Sequence, residues 1–165
     1  MDANNIKYPY LPTGRAILYV SATNEYMIMA EDFAKKYRSN LAMPAAAVVV
    51  KNGTMIGIGS IGNNPAHIKG CERVKLNMPT GQGWDLCEGC NTKFHSEPSA
   101  IRDAQSKGND TTDADLYLWG HWWCCEPCWN AMISAGIKNV YLLENSEVLF
   151  NKSDPNNIVG RQFES

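Results

Sequence analysis

The chain has 165 residues, with 17 acidic and 15 basic side chains and a formal net charge of −2 at pH 7. This length fits one domain over residues 1–165 with a sizeable core, and the near balance of charge gives no electrostatic reason to expect a nucleic-acid partner. No apolar run is long enough to cross a membrane, and the first residues lack the basic and apolar regions of a signal peptide. Six cysteines without an export signal indicate reduced or metal-bound thiols, so we expect a cytoplasmic protein.

Hydrophobic periodicity and turn signals predict helices and strands along most of the chain. In chain order we expect an extended arm (1–15), a short strand or helix start (16–20), a helix (25–37), two strands (45–50 and 55–59), a Cys-rich loop (60–91), a helix (96–107), a strand (115–119), a helix (127–135) and a strand (139–143). Asn52-Gly53 between the first strand pair is a hairpin-turn signal, whereas the tail after Glu144 is ambiguous. A hairpin followed by alternating helices and strands indicates an α/β fold with a mixed central sheet.

Two short motifs in the second half of the chain have the residue spacing of metal ligands. His95-Ser96-Glu97 is an H-x-E motif, and Cys125 and Cys128 form a C-x-x-C motif. Zinc prefers a tetrahedral set of nitrogen and sulfur ligands, and a catalytic site leaves one position for water. His95, Cys125 and Cys128 would supply three ligands to a catalytic Zn2+, while Glu97 stays off the metal as the general base. This combination is typical of zinc-dependent nucleobase deaminases.

Each of the two motifs opens a predicted helix. Pro98 follows His95 and Pro127 follows Cys125 within the first turn, where proline is favoured. The positive end of a helix dipole stabilises thiolates placed there. We therefore expect two helix starts directed at one metal ion.

At these residues the chain resembles the cytidine deaminase superfamily, and most closely its deoxycytidylate deaminase branch. The resemblance covers about residues 45–143 and is carried by segments 95–101, 115–119, 125–128 and 131–137. It implies a three-layer α/β/α fold and zinc-dependent hydrolytic deamination of cytosine in a small nucleotide, dCMP to dUMP with release of ammonia. It also implies a homo-oligomer.

One position departs from the family pattern at the ligand motif. Cys124 stands where the family usually has proline, immediately before the first cysteine ligand. Cys124 could therefore replace Cys125 as a ligand, but only Cys125 keeps the two-residue spacing to Cys128.

The Cys-rich loop holds a second set of possible zinc ligands. These are His67, Cys71, Cys87 and Cys90. Four protein ligands leave no position for water, so this zinc would be structural. Some deoxycytidylate deaminases carry a second zinc, so the resemblance permits this site. His121 is an alternative fourth ligand, and reduced, unligated cysteines are the other interpretation.

Candidate sugar and phosphate contacts lie in the same loop. The family has a Gly-x-Asn-Gly segment whose Asn contacts the sugar, and here the asparagine is shifted by one or two places, so Asn63 and Asn64 are both candidates. Arg73 and Lys75 could hold a substrate phosphate, although such residues are often simply solvated.

Aromatic residues before the C-x-x-C motif could contact the base. Trp119, Trp122 and Trp123 are candidates for stacking, although tryptophans at a strand end more often belong to the core or a subunit interface. Of these we include Trp122 among the substrate contacts. His121 is expected to line the pocket at the strand end.

Several other functions stay open from the sequence. The substrate could be another amino-bearing base, such as adenine in tRNA, guanine, or cytosine in single-stranded DNA. A non-catalytic zinc module that binds partners would leave Glu97 as a helix-start carboxylate. A further alternative is that Cys125 and Cys128 form a redox pair, but this would give His95 and Glu97 no role.

Overall fold

The structure is a computed structural model. It describes residues 10–37, 44–60, 76, 95–151 and 153–159. In chain order its elements are β1 (Ile17–Val20), α1 (Glu25–Lys36), β2 (Ala46–Lys51), β3 (Thr54–Ser60), α2 (Ser96–Ser106), β4 (Asp115–Trp119), α3 (Glu126–Ser134), β5 (Asn139–Leu143) and α4 (Ser146–Phe150). Most of the predicted arm and almost all of the predicted Cys-rich loop lie outside the described residues.

Within the described residues, five strands form one mixed sheet in the order β1-β5-β4-β2-β3. β1 and β4 both run parallel to β5, whereas β2 runs antiparallel to both β4 and β3. The predicted mixed sheet is therefore confirmed. The segment 16–20, which the sequence left open between strand and helix, forms the edge strand β1.

The conformation of the turn between β2 and β3 is explained by its two residues. Asn52 and Gly53 have φ values of 52° and 74°, the pair of left-handed conformations that a type I′ hairpin turn requires and that Asn-Gly favours. The strand before this turn is buried from Ala46 through Val50. Such a continuous apolar run is expected of a strand that is covered on both faces.

Helices cover the two faces of the sheet and make the three layers. On one face, α2 and α3 pack over a core cluster that includes Val49, Leu116 and Trp129. On the other face, a second cluster joins α1 and α4 to Val48 and Tyr117. Neighbouring residues of one strand thus enter different clusters, because successive side chains point to opposite faces. Full burial of each large apolar side chain contributes roughly 1.5–3 kcal/mol to the stability of the folded state.

The short helix α4 resolves part of the tail that the sequence left ambiguous. It begins after Asn145, whose φ is 64°, and it places Phe150 edge-on against Trp119, with ring centroids 5.1 Å apart. Five residues are too few to show a helical period in a sequence, so packing rather than pattern accounts for this element.

None of the helices in the described ranges is long and apolar enough to cross a membrane.

The helix α2 lies directly on the backbone of β3. A Cβ atom added to Gly57 would collide with the carbonyl oxygen of Ala100, and one added to Gly59 would collide with the amide nitrogen of Ala100. The backbone N–H of Ile58 also donates a hydrogen bond to Asp103 Oδ2 at 3.0 Å. These contacts fix the first two turns of α2 against the second half of β3.

The N-termini of α2 and α3 come to the same end of the sheet. Ser60 at the end of β3 and Trp119 at the end of β4 both pair with Ala46 at the start of β2. After β4 the connection 120–125 turns back over the start of β2, where Gly120 has φ 102° and leaves no room for a Cβ beside Pro44 O. The chain then enters α3 at this end.

The close contact between α2 and β3 makes Gly57 sensitive to substitution. We expect Gly57→Ala to lower the free energy of unfolding by about 1–3 kcal/mol, because the added Cβ meets backbone atoms that cannot move without shifting α2. Urea unfolding of the purified protein measures this difference.

A matched control is Gly108→Ala, where an added Cβ meets no atom within 4 Å and φ is 80°. It carries only the strain of a left-handed alanine, about 1–2 kcal/mol. If Gly57→Ala unfolded at the parental urea concentration, the close approach of α2 to β3 would be wrong.

Candidate metal centre and active site

His95 and Cys125 occupy equivalent places at the starts of two helices. Each is the N-cap residue, of α2 and α3 respectively, with extended backbone at φ −61°, ψ 163° and φ −73°, ψ 162°. Neither side chain makes a capping hydrogen bond to its own helix. Both side chains turn instead toward Cys128 in the first turn of α3.

The three donor atoms form a compact triangle. His95 Nδ1 lies 3.6 Å from Cys125 Sγ and 3.4 Å from Cys128 Sγ, and the two sulfurs are 2.9 Å apart. Zinc bonds of about 2.3 Å to sulfur and about 2.0 Å to nitrogen place tetrahedral ligands about 3.5 Å (N to S) and about 3.8 Å (S to S) apart. The nitrogen–sulfur edges match, and zinc binding would open the sulfur–sulfur edge by about 0.9 Å. His95, Cys125 and Cys128 are thus positioned to bind a metal ion.

The triangle distinguishes between the two cysteine registers that the sequence left open. Cys125 belongs to the triangle, whereas Cys124 is 1% exposed and packs in the core cluster of α2 and α3. Cys124, Cys125 and Cys128 are all free of disulfide bonds. The two-residue spacing of the C-x-x-C motif is therefore the one that the geometry uses.

Burial and close contact give the thiols of Cys124, Cys125 and Cys128 different pKa values. The contact with Cys128 lowers the pKa of Cys125 to about 5 against the opposing effect of burial, and His95 adds to the lowering. Burial raises the pKa of Cys128 and likewise that of Cys124. A thiolate is the form in which cysteine binds metals, and Cys125 at the start of α3 favours that form.

Glu97 is a buried carboxyl group beside this triangle. It lies in the first turn of α2 and is 5% exposed, and it interacts with Cys125, His95 and Cys128. Burial raises the pKa of Glu97, the charge of Cys125 raises it further, and His95 opposes both. A carboxyl group whose pKa is raised toward neutrality can both take up and release a proton at the operating pH.

The side chains from the end of β4 to the start of α3 differ in exposure. Trp119 and Trp123 are only 4% and 5% exposed. His121 and Trp122 are half-buried in the connection that leads to Cys125, and Trp122 also packs against the cluster of α1 and α4. Trp122 therefore keeps more exposed surface than either neighbouring tryptophan.

Several predicted site residues fall in the part of the chain that the structure does not describe. They are Asn63, Asn64, His67, Cys71, Arg73, Lys75, Cys87 and Cys90. Their roles stay predictions from the sequence.

Sequence reasoning missed the two glycines that let α2 approach the sheet. Gly57 and Gly59 stand two residues apart in β3, so both point to the face that α2 covers. Glycine inside a strand is a signal of close backbone approach, and this pattern could have indicated the contact. These residues position His95 and Glu97 without touching either motif.

Comparisons with known proteins are consistent with this arrangement. A family model of the cytidine and deoxycytidylate deaminase zinc-binding region matches residues 20–144. No curated protein matches the chain.

Solved structures of several deaminases are similar to the chain. A diaminohydroxyphosphoribosylaminopyrimidine deaminase/5-amino-6-(5-phosphoribosylamino)uracil reductase from Thermotoga maritima is 26% identical (TM-score 0.44; 71% of this chain and 28% of that chain). Guanine deaminase from Bacillus subtilis is 23% identical (TM-score 0.44; 73% and 62%), and dCMP deaminase from the cyanophage S-TIM5 is 24% identical (TM-score 0.49; 73% and 82%). The chain spans less than two thirds of the first two proteins. Because the family model matches from the last residue of β1 through the whole of β5, the chain belongs to the cytidine and deoxycytidylate deaminase zinc-binding family.

Proposed function

We propose that this protein is a zinc-dependent hydrolytic deaminase of the cytosine base in a small nucleotide, converting dCMP to dUMP with release of ammonia. The observation that carries the proposal is the triangle of His95, Cys125 and Cys128 with the buried carboxyl group of Glu97 beside it. Membership in a cytidine and deoxycytidylate deaminase family supports the choice of a cytosine substrate.

In this proposal His95, Cys125 and Cys128 hold the catalytic zinc, because their atoms are the nitrogen and sulfur donors that zinc prefers. When bound, the metal would lower the pKa of a water molecule toward about 7 and leave it ready to attack. Three protein ligands leave the fourth position for that water. The burial of Cys125 and Cys128 keeps bulk water away from the ligands.

Glu97 is the group that moves protons. It takes a proton from the attacking water, and the oxygen adds to C4 of the ring. Glu97 delivers this proton to N3, takes the second proton from the oxygen now bonded to C4 and passes it to the departing amine, so that ammonia leaves and a carbonyl group remains at C4. Its buried position beside the ligands fits this role, since a raised pKa brings a carboxyl group closer to neutral pH.

The start of α3 supplies a second source of stabilisation. The first backbone N–H groups of a helix have no partner within the helix, and they carry the positive end of its dipole. At the start of α3, Pro127 has no N–H, and the N–H of Cys128 already interacts with Cys125. The backbone N–H of Glu126 is therefore the donor that this helix start would offer to negative charge developing on the base.

We assign the substrate contacts from sequence and exposure together. Asn63 or Asn64 would contact the sugar, and Arg73 a phosphate. His121 and Trp122 would contact the base, because both are half-buried in the connection that leads to Cys125.

The proposal also includes one deaminase domain over residues 1–165, a homo-oligomer and a cytoplasmic location. The first rests on the length of the chain, the second on the resemblance to the family, and the third on the interpretation of the six cysteines as reduced or metal-bound thiols.

A substrate panel tests the proposed reaction. Ammonia release should be fastest with dCMP when the zinc-loaded protein is given cytosine, adenine and guanine as nucleosides, nucleotides and oligonucleotides. If ammonia were released faster from guanine, from adenine in tRNA or from cytosine in single-stranded DNA, that compound and not dCMP would be the substrate. Bound zinc without ammonia from any compound would identify a non-catalytic zinc module.

Glu97→Ala should retain zinc and lower kcat by about 10²–10⁴-fold, since it removes the proton carrier and leaves all three ligands in place. Metal analysis and ammonia release on the same preparation measure the two effects. Glu147→Ala is the control, because Glu147 lies in the equivalent first turn of α4, is exposed and is not part of the proposed machinery. Parental turnover in Glu97→Ala would refute the assigned role.

A second, structural zinc on His67, Cys71, Cys87 and Cys90 completes the proposal, with His121 as the alternative fourth ligand. The support is the donor set in the sequence, which suits a closed zinc site. Metal analysis should give two zinc ions per chain, and Cys87→Ser with Cys90→Ser should leave one. One zinc ion per chain in the parental protein would exclude this second site.

A further inference from the structure

Two polar side chains join α2 and the residues after it to the strand β3. Asp103 Oδ2 accepts a hydrogen bond from the backbone N–H of Ile58 at 3.0 Å, and Asn109 Nδ2 donates one to the carbonyl oxygen of Ile56 at 3.0 Å. Both side chains are half-buried. The two bonds have opposite polarity, with an acceptor at the first point and a donor at the second, so together they define one placement of the helix along the strand.

The two backbone groups belong to the edge of the sheet. Among the described strands, β3 is the outermost on this side. Ile56 is the extra residue of a bulge in the register between β2 and β3, and such a residue is left without a partner in the neighbouring strand. Its carbonyl group bonds to Asn109 instead. Side chains of the α2 segment thus take the place that a further strand would occupy.

Both side chains are tied to the body of α2. Asp103 lies in the second half of the helix and also accepts a hydrogen bond from Lys107 Nζ at 2.9 Å, one turn further along. Asn109 follows the helix, and its backbone N–H returns to the carbonyl oxygen of Ala104 at 3.0 Å. Because α2 is one uninterrupted helix that begins at Ser96, a shift at its second half is carried to its N-terminus.

The N-terminus of α2 carries two of the groups on which the proposed reaction depends. His95 is its N-cap, and Glu97 lies in its first turn. Glu97 is six residues before Asp103, which is about 9 Å along a helix that rises about 1.5 Å per residue. The other two ligands, Cys125 and Cys128, lie at the start of α3. Sliding α2 along β3 would therefore move His95 and Glu97 relative to both cysteines.

We propose that Asp103 and Asn109 are positioning residues for the active site. Their hydrogen bonds to the edge of β3 hold α2 at the place along the strand that brings His95 and Glu97 to the cysteine ligands. Gly57 and Gly59 let the helix come close, whereas directed hydrogen bonds select where along the strand it stops. This inference rests on the proposed function.

The opposite polarity of the two contacts provides a matched set of variants. In the zinc-loaded protein, Asp103→Ala should lower kcat about tenfold, because a small misplacement of catalytic groups is costly. KM should stay within about twofold, since the proposed substrate contacts lie outside α2. Asp103→Asn keeps an oxygen acceptor for Ile58 and should retain kcat to within about twofold. Lys107→Met removes the ion pair alone and should leave kcat unchanged.

The second contact is tested by the reverse exchange. Asn109→Asp keeps the size of the side chain but removes the donor, so that a carboxylate oxygen would face the carbonyl oxygen of Ile56. It should lower kcat about tenfold, as Asp103→Ala does. If Asp103→Ala does not fold, the pair of Asp103→Asn and Asn109→Asp decides, and equal kcat values in these two variants would overturn the inference.

Zinc affinity, measured by competition with a chelator, separates positioning from stability without any turnover. Asp103→Ala and Asn109→Asp should bind zinc about tenfold more weakly, because His95 no longer meets the cysteines at the right distance. Leu143→Val, a truncation in the core cluster on the other face of the sheet, is the control. It should lower the urea concentration at the unfolding midpoint and leave zinc affinity and kcat unchanged.

Amide hydrogen exchange at Ile58, followed by NMR, reports on the bond itself. Exchange should be about tenfold faster in Asp103→Ala than in the parental protein and in Asp103→Asn. Parental kcat and zinc affinity in both Asp103→Ala and Asn109→Asp, or equal losses in Asp103→Asn and Asp103→Ala, would overturn the inference. If the parental protein released no ammonia from any substrate, the proposed function would fail, while zinc affinity and the exchange rate would still test the two contacts.

Discussion

The candidate active site depends on two helix N-termini that meet at one end of the sheet. Each helix has a metal-binding side chain as its N-cap, His95 for α2 and Cys125 for α3. The separation of these side chains is set by how closely α2 lies on β3, which Gly57 and Gly59 permit, and by the turn at Gly120. Packing outside the two ligand motifs thus helps to set the geometry of the ligand side chains.

This arrangement concentrates groups that repel one another unless a cation is present. Two cysteines and the carboxyl group of Glu97 are buried together, and burial raises the pKa of Glu97 and of Cys128. Two helix dipoles directed at one place offset part of the cost of burying negative charge. A zinc ion would offset more of it, which couples metal binding to the stability of this end of the fold.

The features that can be predicted from the sequence are those with a local signal. The helix over 25–37 and the hairpin at Asn52 follow from periodicity and turn chemistry, and the ligand triangle follows from motif spacing, helped by the resemblance to the family. Features that depend on distant packing could not be predicted. The short helix α4 has no period to detect, and segment 16–20 becomes a strand only because β5 lies beside it. The two-residue spacing to Cys128 favours Cys125 over Cys124 as a ligand, and the side-chain positions group Cys125 with His95 and Cys128.

The edge strand β1 has a consequence for how the chain folds. It pairs with β5 from Ile17↔Val140 to Val20↔Leu143, so the sheet joins one of the first described segments of the chain to one of the last. Local contacts of the hairpin between β2 and β3 can form early, but closing so long a loop costs conformational entropy that only a largely formed sheet can offset. During synthesis β1 therefore cannot pair until β5 has left the ribosome. The edge of β5 that binds β1 stays unpaired until the two strands meet.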